Sequence, residues 1–307
     1  MTNMDDTRFT PTEIREIGVN VIITALRTIG SFINDNPKMA FKPITIGKKG
    51  KTVLSIDYHA ELACVDYLSR KFHDKIEVFG EERLSDEDPD LSNKQRLIAL
   101  VDMVDGTDLL KRGLSNWCSA VIFFHPAQGK ILGAFVGIPS DGIYYATAAS
   151  GAYKKLLGSD NQLRQKPAIK LQNVSNISNL KDASVCFYGQ KIYKLLSILN
   201  NKKFISKLRK LKKKKNLETR FYNFAGNPMM AKLAEGHIDA VFDLKGQYPH
   251  DVAPGAFIAK KAGAVFRDMK GNDIDLLPAL LKPATSRVKY ILASTPKLFK
   301  EIQSAIR

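Results

Sequence analysis

The chain has 307 residues, of which 44% are hydrophobic, and it carries a formal net charge of +16 at pH 7. A chain of this length can bury a sizeable core, as one large α/β unit or as two closely packed lobes. Apolar runs such as Val21–Ile23 are too short to cross a bilayer, and a segment with Asp5 and Asp6 does not read as a secretory signal. Three widely separated cysteines without a CxxC pair argue against a zinc site or a disulfide framework, so we expect a reduced, cytoplasmic protein without a membrane span.

The first predicted elements are helical. A helix is expected over Pro11–Ile33, where Thr10 and Glu13 fit the positions of a helix cap and apolar residues recur at helical spacing. A basic loop around residues 48–51 follows. A second helix is expected to begin near Asp57 and to bury its apolar face.

Strands come next in the predicted order. The segments Ile76–Phe79 and Leu97–Val101 read as strands, with the polar stretch Ser85–Arg96 as a loop between them. Gly106 and Thr107 then turn the chain. Three further strands are spaced as an antiparallel meander: Ser119–Phe124, Ile131–Val136 and Gly142–Ala146.

The second half of the chain contains its most basic segment. Lys202–Lys215 has nine basic residues and no acidic one, which suits nucleic acid, a membrane surface or a phosphorylated substrate. Ile205, Leu208 and Leu211 recur at helical spacing, which favours a solvated surface helix with one buried edge. Nucleic acid is therefore not the expected partner. The later predicted elements are the helix Asn227–Glu235, the strand Ala240–Leu244, the helix Val252–Ala262, the strands Ala264–Phe266 and Tyr290–Ser294, and a terminal helix.

This mixture of helices and strands predicts an α/β (α+β) fold built as a layered sandwich. We expect an N-terminal lobe over residues 1–155, which holds most of the acidic motifs. A C-terminal lobe over residues 156–307 holds the basic insert and the last acidic motif, and the two lobes are expected to form one structural unit.

The strongest chemical signal is the sequence Asp102-Met103-Val104-Asp105-Gly106-Thr107, which follows an apolar strand. A turn at this point brings the two carboxylates together, and each raises the pKa of the other unless a cation neutralises them. Mg²⁺ does so well, because it prefers oxygen ligands. The carbonyl of Val104 is a further candidate ligand. Amides at Gly106 and Thr107 suit a phosphate.

Three weaker acidic motifs accompany this one. Glu81 and Glu82 follow Gly80 at the end of the preceding strand. Two neighbouring strands that both end in acidic residues can form a metal site between their ends. Asp251 sits where a helix N-cap belongs, and Asp57 sits at a helix start that favours negative charge. Each of these three is also common as an ordinary loop or capping residue.

Taken together and in this order, the motifs resemble the inositol monophosphatase / fructose-1,6-bisphosphatase superfamily of Mg²⁺-dependent, lithium-sensitive-type phosphatases. The resemblance extends over most of the chain and is weakest over residues 160–220. Six short stretches carry it. They are Ile56-Asp57, Gly80-Glu81-Glu82, Asp102–Thr107 and Asp251-Val252-Ala253-Pro254-Gly255, with support from Gly151-Ala152-Tyr153 and Gly236–Ala240. The resemblance implies an αβαβα sandwich of the sugar phosphatase type with mixed sheets.

The resemblance also implies two or three Mg²⁺ ions as cofactors. Asp102 would contact two of them, and Glu82 would support a weaker third site. The implied ligands of the first two ions are four carboxylates and one carbonyl: Glu81, Asp102, Val104, Asp105 and Asp251.

The remaining implied roles concern the substrate and the attacking water. Thr107, oriented by Asp57, would position the water for hydrolysis. The amides of Gly106 and Thr107 would hold the phosphate, and Asp243 would contact a substrate hydroxyl. The implied activity is hydrolysis of a small phosphorylated polyol or sugar, similar to inositol monophosphate, by metal-activated water. Dimers are common in the family, so the resemblance is compatible with a homodimer.

Three positions depart from the family pattern. Met103 replaces the usual proline, which loosens the turn, and His250 replaces the usual tryptophan, which changes the pocket wall. Asp108 stands where an amide or a lysine is common, and bears on substrate choice. None of the three removes an implied ligand.

Two other functions stay open at this point. A 3′,5′-bisphosphate nucleotidase or a fructose-1,6-bisphosphatase would suit the excess of lysine, because such substrates carry two phosphates. A function of another class is a non-catalytic, basic nucleic-acid-binding protein, for which the support is Lys202–Lys215. The sequence leaves the exact substrate undecided, along with the oligomeric state, lithium sensitivity and the role of the basic insert.

Overall fold

The structure is a computed structural model that describes residues 9–46, 50–84, 91, 94–172, 174–212 and 218–307. Its helices are α1 (Pro11–Asp35), α2 (Pro37–Ala40), α3 (Ser55–Phe72), α4 (Glu81–Leu84), α5 (Thr107–Lys111), α6 (Ile192–Leu199), α7 (Lys202–Lys212), α8 (Asn227–Ala234), α9 (Pro249–Lys261), α10 (Leu277–Leu280) and α11 (Pro296–Ile306). Its strands are β1 (Pro43–Ile46), β2 (Lys51–Leu54), β3 (Ile76–Gly80), β4 (Leu97–Asp105), β5 (Cys118–His125), β6 (Lys130–Ile138), β7 (Gly142–Thr147), β8 (Ala152–Leu156), β9 (Ile169–Leu171), β10 (Ser184–Phe187), β11 (Arg220–Tyr222), β12 (Ala240–Gln247), β13 (Val265–Arg267) and β14 (Val288–Ala293).

The strands form two large mixed sheets and one small hairpin. The seven-stranded sheet has the order β3-β4-β5-β6-β7-β8-β9, in which β3 and β4 are parallel and the later neighbours are antiparallel. The five-stranded sheet has the order β11-β10-β12-β14-β13, with β10 parallel to both β11 and β12. β1 pairs with β2.

Helices cover both faces of both sheets, which gives the predicted αβαβα sandwich. α1 and α3 pack on one face of the seven-stranded sheet. α8 and α9 lie between the two sheets, where their apolar residues join both inner faces in one core. α7 and α11 cover the outer face of the five-stranded sheet. The predicted fold class is confirmed.

α1 shows how the first core is built. Thr10 accepts from the Glu13 amide, and the Glu13 carboxylate accepts from the Thr10 amide at 2.7 Å, so the predicted capping box is present. Among the described helices α1 is long and apolar enough to cross a membrane by length and composition. Its apolar residues Val21 and Ile22 are instead fully buried in the core beneath the seven-stranded sheet. Gly18 is required there, because a Cβ would overlap the ring of Phe135.

The middle layer depends on a close approach of two helices. A Cβ at Gly255 of α9 would lie 2.7 Å from the Met230 Cβ of α8, so only glycine permits this packing. Ala253 and Ala256 are fully buried beside it. The small side chains of Ala253, Gly255 and Ala256 therefore allow α8 to pack close to the N-terminal end of α9.

Several predicted boundaries differ from the structure. The predicted basic loop around residues 48–51 includes the start of β2, and β4 continues past Val101 to Asp105. The seven-stranded sheet extends to Leu171, and the division into lobes over residues 1–155 and 156–307 stays a prediction. α9 begins at Pro249 rather than at Val252, because Tyr248 caps it.

The predicted basic helix is present as α7. Phe204 and Leu211 are buried, Leu208 is half-buried, and the basic side chains of Arg209 and Lys210 are exposed. Residues 213–215 of the predicted segment lie outside the described residues, as does most of the predicted loop Ser85–Arg96.

Candidate active site

A bulge at the end of β4 brings the two central carboxylates together. In the pairing of β4 with β5, Asp102 lies opposite Ala120 and Asp105 opposite Cys118, so one extra residue is present on β4. The Val104 amide donates to Asp102 Oδ1 at 3.1 Å, which holds the bulge. A β-bulge bends its strand and redirects side chains. Both acids, predicted to sit in a turn, are thus still within the strand.

The chain turns sharply after this bulge. Gly106 has a φ of 98°, a backbone conformation that favours glycine, and a Cβ there would lie 3.1 Å from the Asn116 carbonyl oxygen. Both the conformation and the close contact therefore require glycine. α5 then begins at Thr107. The Thr107 hydroxyl lies 2.8 Å from Asp57 Oδ1 and 2.9 Å from the Val104 carbonyl. The predicted pair of Asp57 and Thr107 is therefore in hydrogen-bond contact.

Glu81 and Glu82 follow β3, whose carboxyl end lies beside that of β4 because the two strands are parallel. The Glu82 amide donates to Glu61 Oε2 at 3.0 Å, and a Cβ at Gly80 would overlap the Glu61 carboxylate. The Lys51 ammonium lies 2.9 Å from Glu82 Oε2. Glu82 thus has a lysine partner, whereas the side chain of Glu81 is 40% exposed toward the cleft.

Asp251 arrives from the N-terminal turn of α9. It is the third residue of the helix rather than the predicted N-cap, and its Oδ2 accepts from the Tyr248 amide at 3.3 Å. The other face of this carboxylate is free to meet the β4 bulge. One oxygen each from Asp102, Asp105 and Asp251 lie within 4.8 Å of one another.

Asn227 is a positioning residue that the sequence did not reveal. Its Nδ2 donates to Asp105 Oδ2 at 3.0 Å and lies 2.8 Å from the His250 carbonyl. Its Oδ1 accepts from the Gly255 amide at 2.9 Å. One fully buried amide thus joins the β4 bulge to α9. An asparagine that starts a helix usually reads as a cap, so the sequence carries no signal for this role.

The predicted substrate contact Asp243 does not line the cleft, and this assignment is corrected. Its side chain is buried, and Oδ2 pairs with the Lys194 ammonium at 2.7 Å. Oδ1 accepts from the amides of Lys245 and Gly246, at 2.7 Å and 2.9 Å. Asp243 therefore holds the irregular end of β12. Gln247 and Tyr248, a few residues later, line the cleft instead.

Burial and mutual repulsion raise the pKa values of the central carboxyls. Burial is the main cause for Asp102, followed by the charges of Glu81 and Asp105. Burial is also the main cause for Asp105, followed by the charge of Asp251. Burial raises the pKa of Asp57 to about 8, although the Thr107 hydroxyl lowers it in part. Such a cluster is unfavourable as anions alone.

The donor set fits a hard divalent cation. The clustered carboxylates and the Val104 carbonyl supply oxygen ligands, which Mg²⁺ prefers. They line a cleft of about 420 Å³ together with Gly106 and Thr107. Lys51 and Lys191 line the same cleft and offer positive charge for a phosphate. A cation held between the acids would remove their repulsion.

A family model described as the inositol monophosphatase family matches residues 16–307 of this chain. A fructose-1,6-bisphosphatase of Pyrococcus furiosus is 38% identical over 78 residues, which are 25% of this chain and 29% of that protein. The chain thus spans less than a third of that curated relative.

Solved structures share the fold at low identity. A hypothetical protein from Pyrococcus horikoshii with similarities for inositol-1 monophosphatase is 21% identical, with a TM-score of 0.67 over 97% of this chain and 100% of that chain. Extragenic suppressor protein suhB from Bartonella henselae is 18% identical, with a TM-score of 0.68 over 96% and 98%. SaIMPase-II with 2′AMP bound is 17% identical, with a TM-score of 0.69 over 95% and 94%.

Proposed function

The chain belongs to the inositol monophosphatase family, and from this premise we propose that it hydrolyses a small phosphorylated polyol or sugar with the help of Mg²⁺. The observation that carries the proposal is the convergence of Asp102, Asp105 and Asp251 at one end of a cleft, next to the hydrogen-bonded Thr107 and Asp57. Family membership supports a phosphatase, and the cluster supports a cation.

The cations would be held by the clustered acids. When bound, they supply a lowered pKa for a water molecule and neutralise charge on the phosphoryl group. Glu82 is the proposed support of a third, weaker site, where its bond to Lys51 would have to yield. The ligands proposed for the first two sites are Glu81, Asp102, the Val104 carbonyl, Asp105 and Asp251.

Thr107 and Asp57 are the proposed proton relay. When the Thr107 hydroxyl donates to Asp57 Oδ1, its own lone pairs are free to accept from a water. An ionised Asp57 can then accept the proton that this relay takes from the water. The first amides of α5, next to Gly106, are the proposed phosphate contacts.

The experiment is phosphate release from a panel of three substrates, each with Mg²⁺ and with EDTA. The panel contains inositol-1-phosphate, fructose-1,6-bisphosphate and adenosine-3′,5′-bisphosphate. Mg²⁺-dependent release from inositol-1-phosphate above the other two is the expected result. Release that persists in EDTA would contradict the cation requirement.

Two other substrates have specific support. The partial identity to a fructose-1,6-bisphosphatase favours that sugar bisphosphate. The SaIMPase-II structures contain 2′AMP in one case and inositol monophosphate in another, so a nucleotide also deserves a place in the panel. Lys51 and Lys191, which both line the cleft, suit a substrate with two phosphates.

A nucleic-acid-binding function of α7 is the alternative from another class. Its support is the row of exposed basic side chains that includes Lys203, Arg209 and Lys210. Binding to RNA or DNA that falls steeply with salt, in a protein without phosphatase activity, would favour this alternative. A cytoplasmic location and a homodimer stay predictions, and light scattering of the purified protein tests the second.

A further inference from the structure

His250 is a buried side chain without a hydrogen-bond partner. The residue is 3% exposed, and within the described part of the chain neither ring nitrogen has a partner. A buried polar group without a partner is costly and rare in folded proteins. The partner that the ring lacks among the described protein atoms can come from outside the chain, as a bound ion or a water molecule.

The ring points at two of the carboxylates of the cleft. His250 Nε2 lies 3.6 Å from Asp251 Oδ1 and 3.8 Å from Glu81 Oε1, which is too long for hydrogen bonds. The three groups nevertheless offer atoms within 4.8 Å of one another. Ligands at about 2.0–2.2 Å from a shared ion lie roughly 3–3.6 Å apart, so a small closure suffices.

The ring is also held in this orientation. Tyr248 stacks on it with ring centroids 5.2 Å apart and an angle of 12° between planes, and Arg287 covers the Tyr248 ring. The His250 carbonyl accepts from Asn227, which also holds Asp105. Packing thus fixes the ring and a hydrogen bond fixes the backbone of His250, which suits a preorganised ligand.

We propose that His250 Nε2 is a ligand of a cation site shared with Glu81 and Asp251. This site has mixed nitrogen and oxygen donors, whereas the one formed by Asp102, Asp105 and Asp251 has oxygen donors alone. Imidazole suits cations such as Co²⁺ and Zn²⁺, and oxygen ligands suit Mg²⁺. The cleft therefore has one position that prefers a borderline cation. This inference rests on the proposed function insofar as the cleft binds divalent cations.

His125 provides a matched control. It is also buried and its Nδ1 also lacks a partner among the described residues. It lies at the opposite end of β5 from Cys118, which pairs with Asp105. His125 pairs with Lys130 in the sheet, and no carboxylate of the described chain forms an ion pair with it. Its substitution perturbs a buried imidazole without touching the cleft.

The first experiment uses the full chain with Mn²⁺ at a concentration that saturates both carboxylate groups of the cleft, the all-oxygen group and the group that contains His250. Pulsed electron paramagnetic resonance of bound Mn²⁺ detects a directly coordinated nitrogen as a ¹⁴N coupling. We expect this coupling in the wild type and in His125→Phe, and its loss in His250→Phe. Bound Mn²⁺ without ¹⁴N coupling in the wild type would overturn the inference and leave the proposed function intact. No bound cation at all would contradict both. The wild-type spectrum decides even if His250→Phe fails to fold.

The second experiment compares affinities by calorimetry for Co²⁺ and Mg²⁺. His250→Phe is expected to weaken Co²⁺ binding by at least about tenfold, the lower end of what loss of metal-supporting groups costs. Mg²⁺ binding is expected to change little, because its oxygen ligands remain. Equal weakening of both cations, or of neither, would overturn the assignment of His250 as a ligand.

Discussion

Two carboxylate clusters in this molecule have opposite electrostatic character. In the cleft cluster, which comprises Asp57, Asp102, Asp105 and Asp251, no lysine or arginine of the described chain forms an ion pair with an acid. In the paired cluster, Lys154 lies 2.7 Å from both Asp141 and Glu235. The remaining members of the paired cluster are Tyr144, which hydrogen-bonds both acids, and Lys232.

The pKa values follow this difference. Burial raises the pKa of Asp57 to about 8. Burial would also raise the pKa of Asp141, but hydrogen bonds from Lys154, Lys232 and Tyr144 outweigh it and hold the pKa at about 2. The protein therefore supplies its own cations where carboxylates stabilise the fold, between β6, β7, β8 and α8. The described residues supply no lysine or arginine partner to the cleft cluster, where we propose that an external cation binds.

The largest expected effect is on activity, in the cleft cluster. Asp105→Asn removes the charge of a proposed metal ligand but keeps the shape of the side chain. We expect the rate of phosphate release to fall at least about a thousandfold, which corresponds to an increase of about 4 kcal/mol in the activation free energy. Phosphate release at saturating Mg²⁺ measures this, with circular dichroism as the control for folding. A near wild-type rate would show that Asp105 holds no catalytic cation.

The next effect is on stability, in the paired cluster. Lys154 is 5% exposed, and Lys154→Met leaves Asp141 and Glu235 poorly compensated. We expect the free energy of unfolding to fall by about 3 kcal/mol, as when one partner of a buried ion pair is removed. Urea denaturation measures it, and Lys155→Met on the same strand is the matched control. Equal stabilities of the two variants would refute the role of Lys154.

The cleft cluster was largely predictable from the sequence, whereas the paired cluster was not. The motifs that contain Asp57, Glu81, Asp102, Asp105 and Asp251 predicted a shared site through their resemblance to the family, and the structure brings these residues to one cleft. The layered fold was predictable because segments with periodically spaced apolar residues dominate the chain. Their local geometry was less predictable.

The errors came from non-local contacts. A bulge depends on the partner strand, so the continuation of β4 through Asp105 was not visible in its own residues. The same holds for Asp243, which the resemblance to the family placed near a substrate but which pairs with Lys194 in the interior. The paired cluster was missed entirely, because its members are spread over 95 positions from Asp141 to Glu235, and Asn227 was missed because its partners are on other elements.

A cation is expected to stabilise the cleft cluster. At a hundredfold excess over its dissociation constant, Mg²⁺ should add about 2.7 kcal/mol to the free energy of unfolding. Thermal unfolding with Mg²⁺ and with EDTA measures the shift in Tm. Asp105→Asn should show a much smaller shift, whereas Lys155→Met should respond as the wild type does. An unchanged Tm in the wild type would argue against a preformed cation site.

The smallest effect is the pH dependence of the paired cluster. Because the pKa of Asp141 is about 2 in the folded state and 3.8 ordinarily, its stabilisation is present above about pH 4 and is lost as the pH falls toward 2. Allowing for its partial exposure, we expect about 1 kcal/mol. Urea denaturation from pH 5 to pH 2 measures this loss of stability, and Asp141→Asn should not show it. Parallel pH profiles of the two proteins would contradict the expectation.

The most direct test compares Asp105→Asn with Asp141→Asn, two isosteric neutralisations of one carboxylate in each cluster. Mg²⁺-dependent phosphate release and the free energy of unfolding in EDTA are measured for both. We expect Asp105→Asn to lose activity and keep or gain stability, because it relieves repulsion in the cation-free cleft, and Asp141→Asn to lose stability and keep activity. The account would be contradicted if Asp105→Asn stayed active, or if both variants lost stability alike.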